Sequence, residues 1–172
     1  MMYKTRNMTR EDATVMLYSF SRQGEEKSQN LLLSYYSQQH KGERKVLIAD
    51  YEGEILGYVT LLRNAKIGPY KDKFIPQIDD LNVFEPYRSS GLGEFLLNEA
   101  EKIAVKYCDT AILGISLIDD CDIAHKMFAK QDYKFMGTGI WNKDHKLSLH
   151  DNVTVDSDVK IYLIKDLDKT IK

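Results

Sequence analysis

Between an apolar stretch that ends at Val83 and a helix-periodic stretch that begins near Leu92, the chain reads Arg88-Ser89-Ser90-Gly91-Leu92-Gly93. Two glycines at this junction require a strand, a tight turn and a helix in immediate succession, which narrows the fold more than any other feature of the chain. The first N–H groups of a helix lack intrahelical acceptors, and with the positive end of the helix dipole they face whatever anion the glycines let approach. A pyrophosphate fits that description. A dinucleotide fingerprint would need a third glycine where Leu96 stands, and an NTP-binding loop would need a Gly-Lys-Ser/Thr run that is absent.

The remaining pattern mixes hairpins with strand-helix-strand units. A strand over 3–6 leads to a helix from about 10 to 20, with Thr9 as the expected N-cap. A second helix is predicted from 28 to about 39. The apolar runs at 45–50 and 55–62 flank Glu52-Gly53, a hairpin turn. A strand over 75–83 feeds the glycine turn, and Leu92, Leu96, Ala100, Ile103 and Tyr107 fall on one face of the helix that follows. Strands near 110–117, 133 and 158–165 and a helix over 121–130 complete the order. Residues 137–156 read as a long polar loop, with Trp141 and Tyr133 as packing residues. The order predicts an α+β fold around one sheet, in one domain spanning 1–172 with a frayed tail from about 166.

Composition removes several function classes. With 24 Lys and Arg against 26 Asp and Glu, the formal charge is −2, which argues against nucleic acid as a partner. No apolar run is long enough to span a membrane. The N-terminal residues lack the apolar core of a secretory signal, so a cytoplasmic location is expected, with Cys108 and Cys121 reduced. The histidines show no zinc-ligand spacing, so no metal is expected.

The glycine turn in this context resembles the GNAT superfamily of N-acetyltransferases, whose signature is Arg/Gln-x-x-Gly-x-Gly/Ala. The likeness extends through Ile78-Asp79-Asp80-Leu81-Asn82-Val83 before it, and through residues 110–117 and the Ala124-x-x-x-Phe128-x-x-x-Asp132-Tyr133 segment after it. It implies a three-layer α/β/α architecture with a central mixed, mostly antiparallel sheet splayed in a V, and acetyl-CoA as cosubstrate. It implies that the main chain at Leu81, Asn82 and Val83 meets the pantetheine arm, that Arg88 opens the loop, and that the amides of Ser89, Ser90, Gly91, Leu92 and Gly93 take the pyrophosphate. Cys121 and Phe128 stand where relatives often carry a cofactor-binding Asn and an acidic Tyr, so the usual tyrosine acid is missing.

A thiolate leaves near neutral pH with little help, since a thiol pKa is about 8.5. The acceptor is harder: an alkylamine of pKa about 10.4 is only about 0.04% neutral at pH 7, so a base matters more than an acid. Asp80 and Asp79 are the candidates, because Asp is unfavourable inside a strand and these two lie nearest the expected cleft; the resemblance, which implies an acid on this strand, puts Asp80 first. Strand alternation predicts that they face opposite sides. Either could instead pair with a neighbouring Arg or Lys. Asp119, Asp120 and Asp122 read as helix caps or as attractors of a cationic amine; Cys121 reads as a small filler or a reactive thiol. The expected activity is acetyl transfer from acetyl-CoA to a primary amine, on a small molecule or a peptide, by direct attack in a ternary complex. The alternative is a non-catalytic acyl-CoA-binding or regulatory protein. A homodimer is compatible with the resemblance.

Overall fold

The computed structural model describes residues 3–118 and 122–167. Among these, nine strands form a mixed sheet and four α-helices accompany it, the α+β class that the element order predicts. The chain divides into two compact units, one of Met1–Leu62 with Asp79–Lys102, the other of Arg63–Ile78 with Ile103–Lys172.

The first unit holds β1 (Lys4–Asn7), α1 (Asp12–Arg22), α2 (Gln29–His40), β2 (Arg44–Tyr51), β3 (Glu54–Leu62), β4 (Gln77–Val83) from Asp79 on, and most of α3 (Leu92–Ala104). β1 and β3 flank β2 in antiparallel register, and the β2–β3 hairpin closes through Glu52 and Gly53, both left-handed, which matches the twist of the strands. Its core is the face of α1 carrying Ala13, Met16 and Phe20, the Leu32 and Tyr35 stripe of α2, and Val46, Ile48, Tyr58 and Phe84. Phe20 meets the rings of Phe84 and Tyr58 edge-on, at centroid distances of 5.2 and 6.2 Å.

Helix α1 begins later than predicted. Thr9 does not cap it; the Thr9 N–H donates to the Asp12 carboxylate at 2.7 Å, and Glu11 is the N-cap residue, without a side-chain cap bond. Asp12 is held there by Arg6, which donates to both of its oxygens at 2.6 and 3.0 Å and to Asp50 at 3.0 Å. Burial alone would raise both carboxyl pKa values, but hydrogen bonds from Arg6 and from main-chain N–H groups outweigh it and hold both below 3.8. A depressed carboxyl pKa contributes stability that is complete above the unfolded value and is lost as pH falls through the folded one. Arg6→Met is therefore expected to cost about 1 to 3 kcal/mol at neutral pH, as charge-assisted hydrogen bonds do. In urea titrations the two proteins should converge in stability well below pH 3.8; a constant gap would contradict this.

In α3, Leu92, Leu96, Leu97, Ala100 and Ala104 are buried. Tyr107, expected on the same face, is exposed, because the helix ends at Ala104 and the chain turns away; the Arg63 guanidinium lies over its ring at 5.1 Å.

The second unit contains the start of β4, β5 (Thr110–Ser116), α4 (Asp122–Lys130), β6 (Lys134–Phe135), β7 (Trp141–Asn142), β8 (His145–Lys146) and β9 (Val159–Asp166). β4 enters parallel to β5, with Gln77 opposite Ile112 and Ile78 opposite Leu113, while β5 and β9 run antiparallel. The polar stretch over 137–156 is not a structureless loop. β7 and β8 form a hairpin within it, and β7 pairs with β9. In β9, Tyr162 and Leu163 are both buried, so burial does not follow strict alternation. No helix among the described residues is long and apolar enough to cross a membrane.

Candidate functional site

The path of β4 decides where its carboxylates go. Asp80 is left-handed, with φ +41, which interrupts the strand's alternation. Asp79 and Asp80 therefore do not face opposite sides as predicted. Both reach the face of β3 that carries Tyr58 and Thr60, two residues apart. Arg44 donates to Asp79 at 3.1 Å and also to the Thr60 hydroxyl, and that hydroxyl donates to the Asp79 carbonyl at 2.8 Å. The Arg44 guanidinium lies 4.4 Å over the ring of Tyr35. Asp79 is thus a paired carboxylate.

Asp80 accepts from the phenols of Tyr35 and Tyr58, each at 2.8 Å, and from the Lys27 ammonium at 2.6 to 2.7 Å. Burial, and then the adjacent carboxylates, push both phenol pKa values up, so the two tyrosines stay protonated and donate. A carboxylate offers about four lone-pair positions. Both phenols donate to the same oxygen, Oδ2, so a further proton donor has room at Oδ1, the oxygen that Lys27 meets at 2.7 Å. Sequence reasoning missed Lys27, Tyr35 and Tyr58: no spacing singles out the tyrosines within α2 and β3, and Lys27 lies in the connection between α1 and α2.

Beyond Asp80, Leu81, Asn82 and Val83 are half-buried and pass against β3 at Gly57. A Cβ on Gly57 would stand 2.5 Å from the Asn82 carbonyl oxygen and 3.1 Å from the Val83 Cα. This close approach of two backbones is the physical reason for a glycine inside an otherwise apolar strand. Gly57→Ala must displace main chain, at about 1 to 3 kcal/mol by analogy with overpacked cores. Because the displaced segment is the one expected to meet pantetheine, a titration should show weaker CoA binding as well; full affinity in a folded variant would dissociate residues 81–83 from the cofactor.

The turn into α3 is built from short-range geometry. Phe84 donates its N–H to the Leu56 carbonyl at 3.0 Å, and a 3-10 turn at Glu85–Tyr87 follows, with Pro86 in its first turn. Ser90 donates its hydroxyl to the Tyr87 carbonyl at 2.6 Å, and Arg88 binds the Val83 carbonyl and Glu25 at 3.1 and 2.9 Å. Ser89 and Gly91 are both left-handed, with φ +61 and +82. Alternating hand turns successive N–H groups into one concavity, a nest for an anion. The first helical bond runs from Phe95 to the Gly91 carbonyl, so the N–H groups of Leu92, Gly93 and Glu94 have no acceptor within the helix. Arg88, Ser89, Ser90 and Gly91 are exposed, whereas Leu92 buries its side chain and offers the turn only its main chain.

Phe128 lies in the second unit, buried, with the ring of Tyr133 edge-on at 6.0 Å. Cys121, Asp119 and Asp120 fall outside the described residues, and Asp122 opens α4. Among the described residues no group of three or more His, Cys, Asp or Glu side chains could hold a metal ion.

Residues 7–145 match the model of the acetyltransferase (GNAT) family. The chain belongs to this family. Solved structures agree on the fold. An N-acetyltransferase from Staphylococcus aureus Mu50 superposes with a TM-score of 0.68 at 17% identity, covering 98% of this chain and 100% of the other. The PaiA N-acetyltransferase of Thermoplasma acidophilum, in complex with coenzyme A, gives 0.65 at 15% identity over 96% and 99%. YncA of Salmonella typhimurium, with its cofactor acetyl-CoA, gives 0.66 at 13% over 98% and 96%. No curated protein matched the sequence.

Proposed function

We propose that this GNAT-family protein transfers an acetyl group from acetyl-CoA to a primary amine by direct attack in a ternary complex. The observation that carries the reading is the turn at 89–93, where left-handed Ser89 and Gly91 precede the free N–H groups of α3. Its charge and shape suit a pyrophosphate, and its place at the end of β4 matches the family signature. The coenzyme A and acetyl-CoA bound to two proteins of the same fold support the choice of ligand.

The residues of this chain then divide the work. The main chain of Leu81, Asn82 and Val83 is assigned to the pantetheine arm, and an N–H of this segment to the oxyanion that forms when the amine attacks the thioester. Asp80 is assigned the amine proton, taken directly or through water, because an ammonium cannot attack. The thiol leaves as thiolate, so Phe128 in place of a tyrosine acid does not prevent turnover. That phenylalanine is also the one feature favouring the alternative, an acyl-CoA-binding protein without turnover.

Initial rates measured while both substrates vary test the route. Direct attack in a ternary complex predicts intersecting double-reciprocal lines. Parallel lines would indicate an acyl-enzyme intermediate and overturn the proposed order of events.

A further inference from the structure

Lys27 is held in a way that a structural ion pair does not need. Its ammonium lies 2.6 to 2.7 Å from both oxygens of Asp80, 5.0 Å over the Phe20 ring and 5.6 Å over the Tyr58 ring. Tyr35 and Tyr58 fix the carboxylate from behind through their hydroxyls. Two aromatic faces, one oriented anion and walls that exclude most water form a host for an alkylammonium, and Lys27 fills it with its own butyl chain.

The lysine comes from the connection between α1 and α2, which carries a left-handed Gly24 and is otherwise largely exposed. A groove of about 700 Å³ adjoins it, lined by Leu17, Ser21, Gly24, Glu25, Glu26 and Lys27 itself. Glu26 is exposed, and Glu25 shares its charge with Arg88. Lys27 belongs to both the groove and the cage, so Glu26 supplies a second negative group beside it, and a molecule with more than one ammonium is better matched than a monoamine.

From this we infer that the Phe20, Tyr58 and Asp80 cage is the ammonium subsite for a small aliphatic diamine or polyamine, and that Lys27 is its internal occupant, displaced when the acceptor binds. The inference rests on the acetyltransferase reading for the word acceptor, while the cage rests on geometry alone. An internal occupant lowers apparent affinity by the fraction of molecules in which the site is free. Removing it should strengthen binding, but a lysine cut from any buried pair leaves a carboxylate that an added ammonium can refill, so the deciding result is that the wild type itself binds diaminobutane, more weakly than the variant; no binding to the wild type overturns the inference.

The test uses the full chain, titrated calorimetrically with n-butylammonium and with 1,4-diaminobutane. Lys27→Ala is expected to bind both about tenfold or more tightly than the wild type, with diaminobutane the tighter, and Lys27→Ala/Asp80→Asn to bind neither. Equal binding to wild type and Lys27→Ala, or binding to neither, overturns the inference. If Lys27→Ala does not fold, the wild type is labelled with an acetic acid N-hydroxysuccinimide ester and its lysines are read by mass spectrometry. Because a primary diamine would itself consume the ester, N,N,N′,N′-tetramethyl-1,4-diaminobutane serves as the displacing ligand here; it should raise the labelling of Lys27 selectively, and unchanged labelling overturns the inference. Adding acetyl-CoA separates the two claims. Transfer to other amines with diaminobutane unbound defeats the cage alone, whereas diaminobutane bound with no thiol released defeats the acetyltransferase reading and leaves the ammonium site standing.

Discussion

Gly91→Asp is expected to weaken CoA binding by about a hundredfold or more, the effect of a like charge set against a bound one. The position is open: a Cβ built there meets nothing within 4 Å beyond the adjoining residues. Two effects remain. At φ +82 any side chain strains the backbone, which costs about 1 kcal/mol of stability. The carboxylate would also sit on the nest formed by residues 89–93, where the pyrophosphate is assigned. Gly91→Ala isolates the strain, and most of the loss should appear only with Asp. Isothermal titration checks both variants, and full CoA affinity in folded Gly91→Asp would remove the turn from the cofactor site.

Asp80→Asn is expected to lower turnover at neutral pH by about a hundredfold, the lower end of what a positioned base contributes, while acetyl-CoA affinity stays near wild type. The rate should recover in part as pH rises, because solvent then supplies the neutral amine. The substitution also leaves Lys27 without its counter-ion in a pocket where both side chains are 18% exposed. Thermal unfolding should therefore show a loss of stability, and rates must be compared well below the transition. An Asn at this position still accepts from Tyr35 or Tyr58, which keeps the fold intact. Wild-type turnover in the folded variant would take the proton transfer away from Asp80. Asp79 is the second candidate, and it is paired as well, with Arg44 at 3.1 Å.

The part of the site that sequence made legible is the part that depends on local backbone geometry. Gly91 and Gly93 between a strand and an amphipathic helix could hardly serve anything but a tight turn, and the turn carries its anion chemistry in its own N–H groups. The carboxylate cluster is different. The strand pattern predicts opposite faces for Asp79 and Asp80, and one left-handed residue at Asp80 cancels that prediction. Such a φ in a non-glycine residue leaves no mark in hydrophobic periodicity. Lys27, Tyr35 and Tyr58 converge on Asp80 from three different elements, a product of tertiary packing that no spacing along the chain encodes. Gly57 lay between these extremes: its place in an apolar strand was visible, but the backbone it accommodates was not. Helix ends were the least legible, since Arg6 and its hold on Asp12 set the start of α1 where Thr9 offered an equally good cap.

The most direct test of the central claim is a single assay in which acetyl-CoA and a panel of primary amines are incubated with the full chain, and free CoA thiol and acetylated amine are counted together. Transfer to an amine predicts thiol release that requires the amine and equals the acetylated product one for one. Tight acetyl-CoA binding with no amine-dependent thiol release across the panel would contradict it, and would make the protein a binder of the cosubstrate rather than a catalyst.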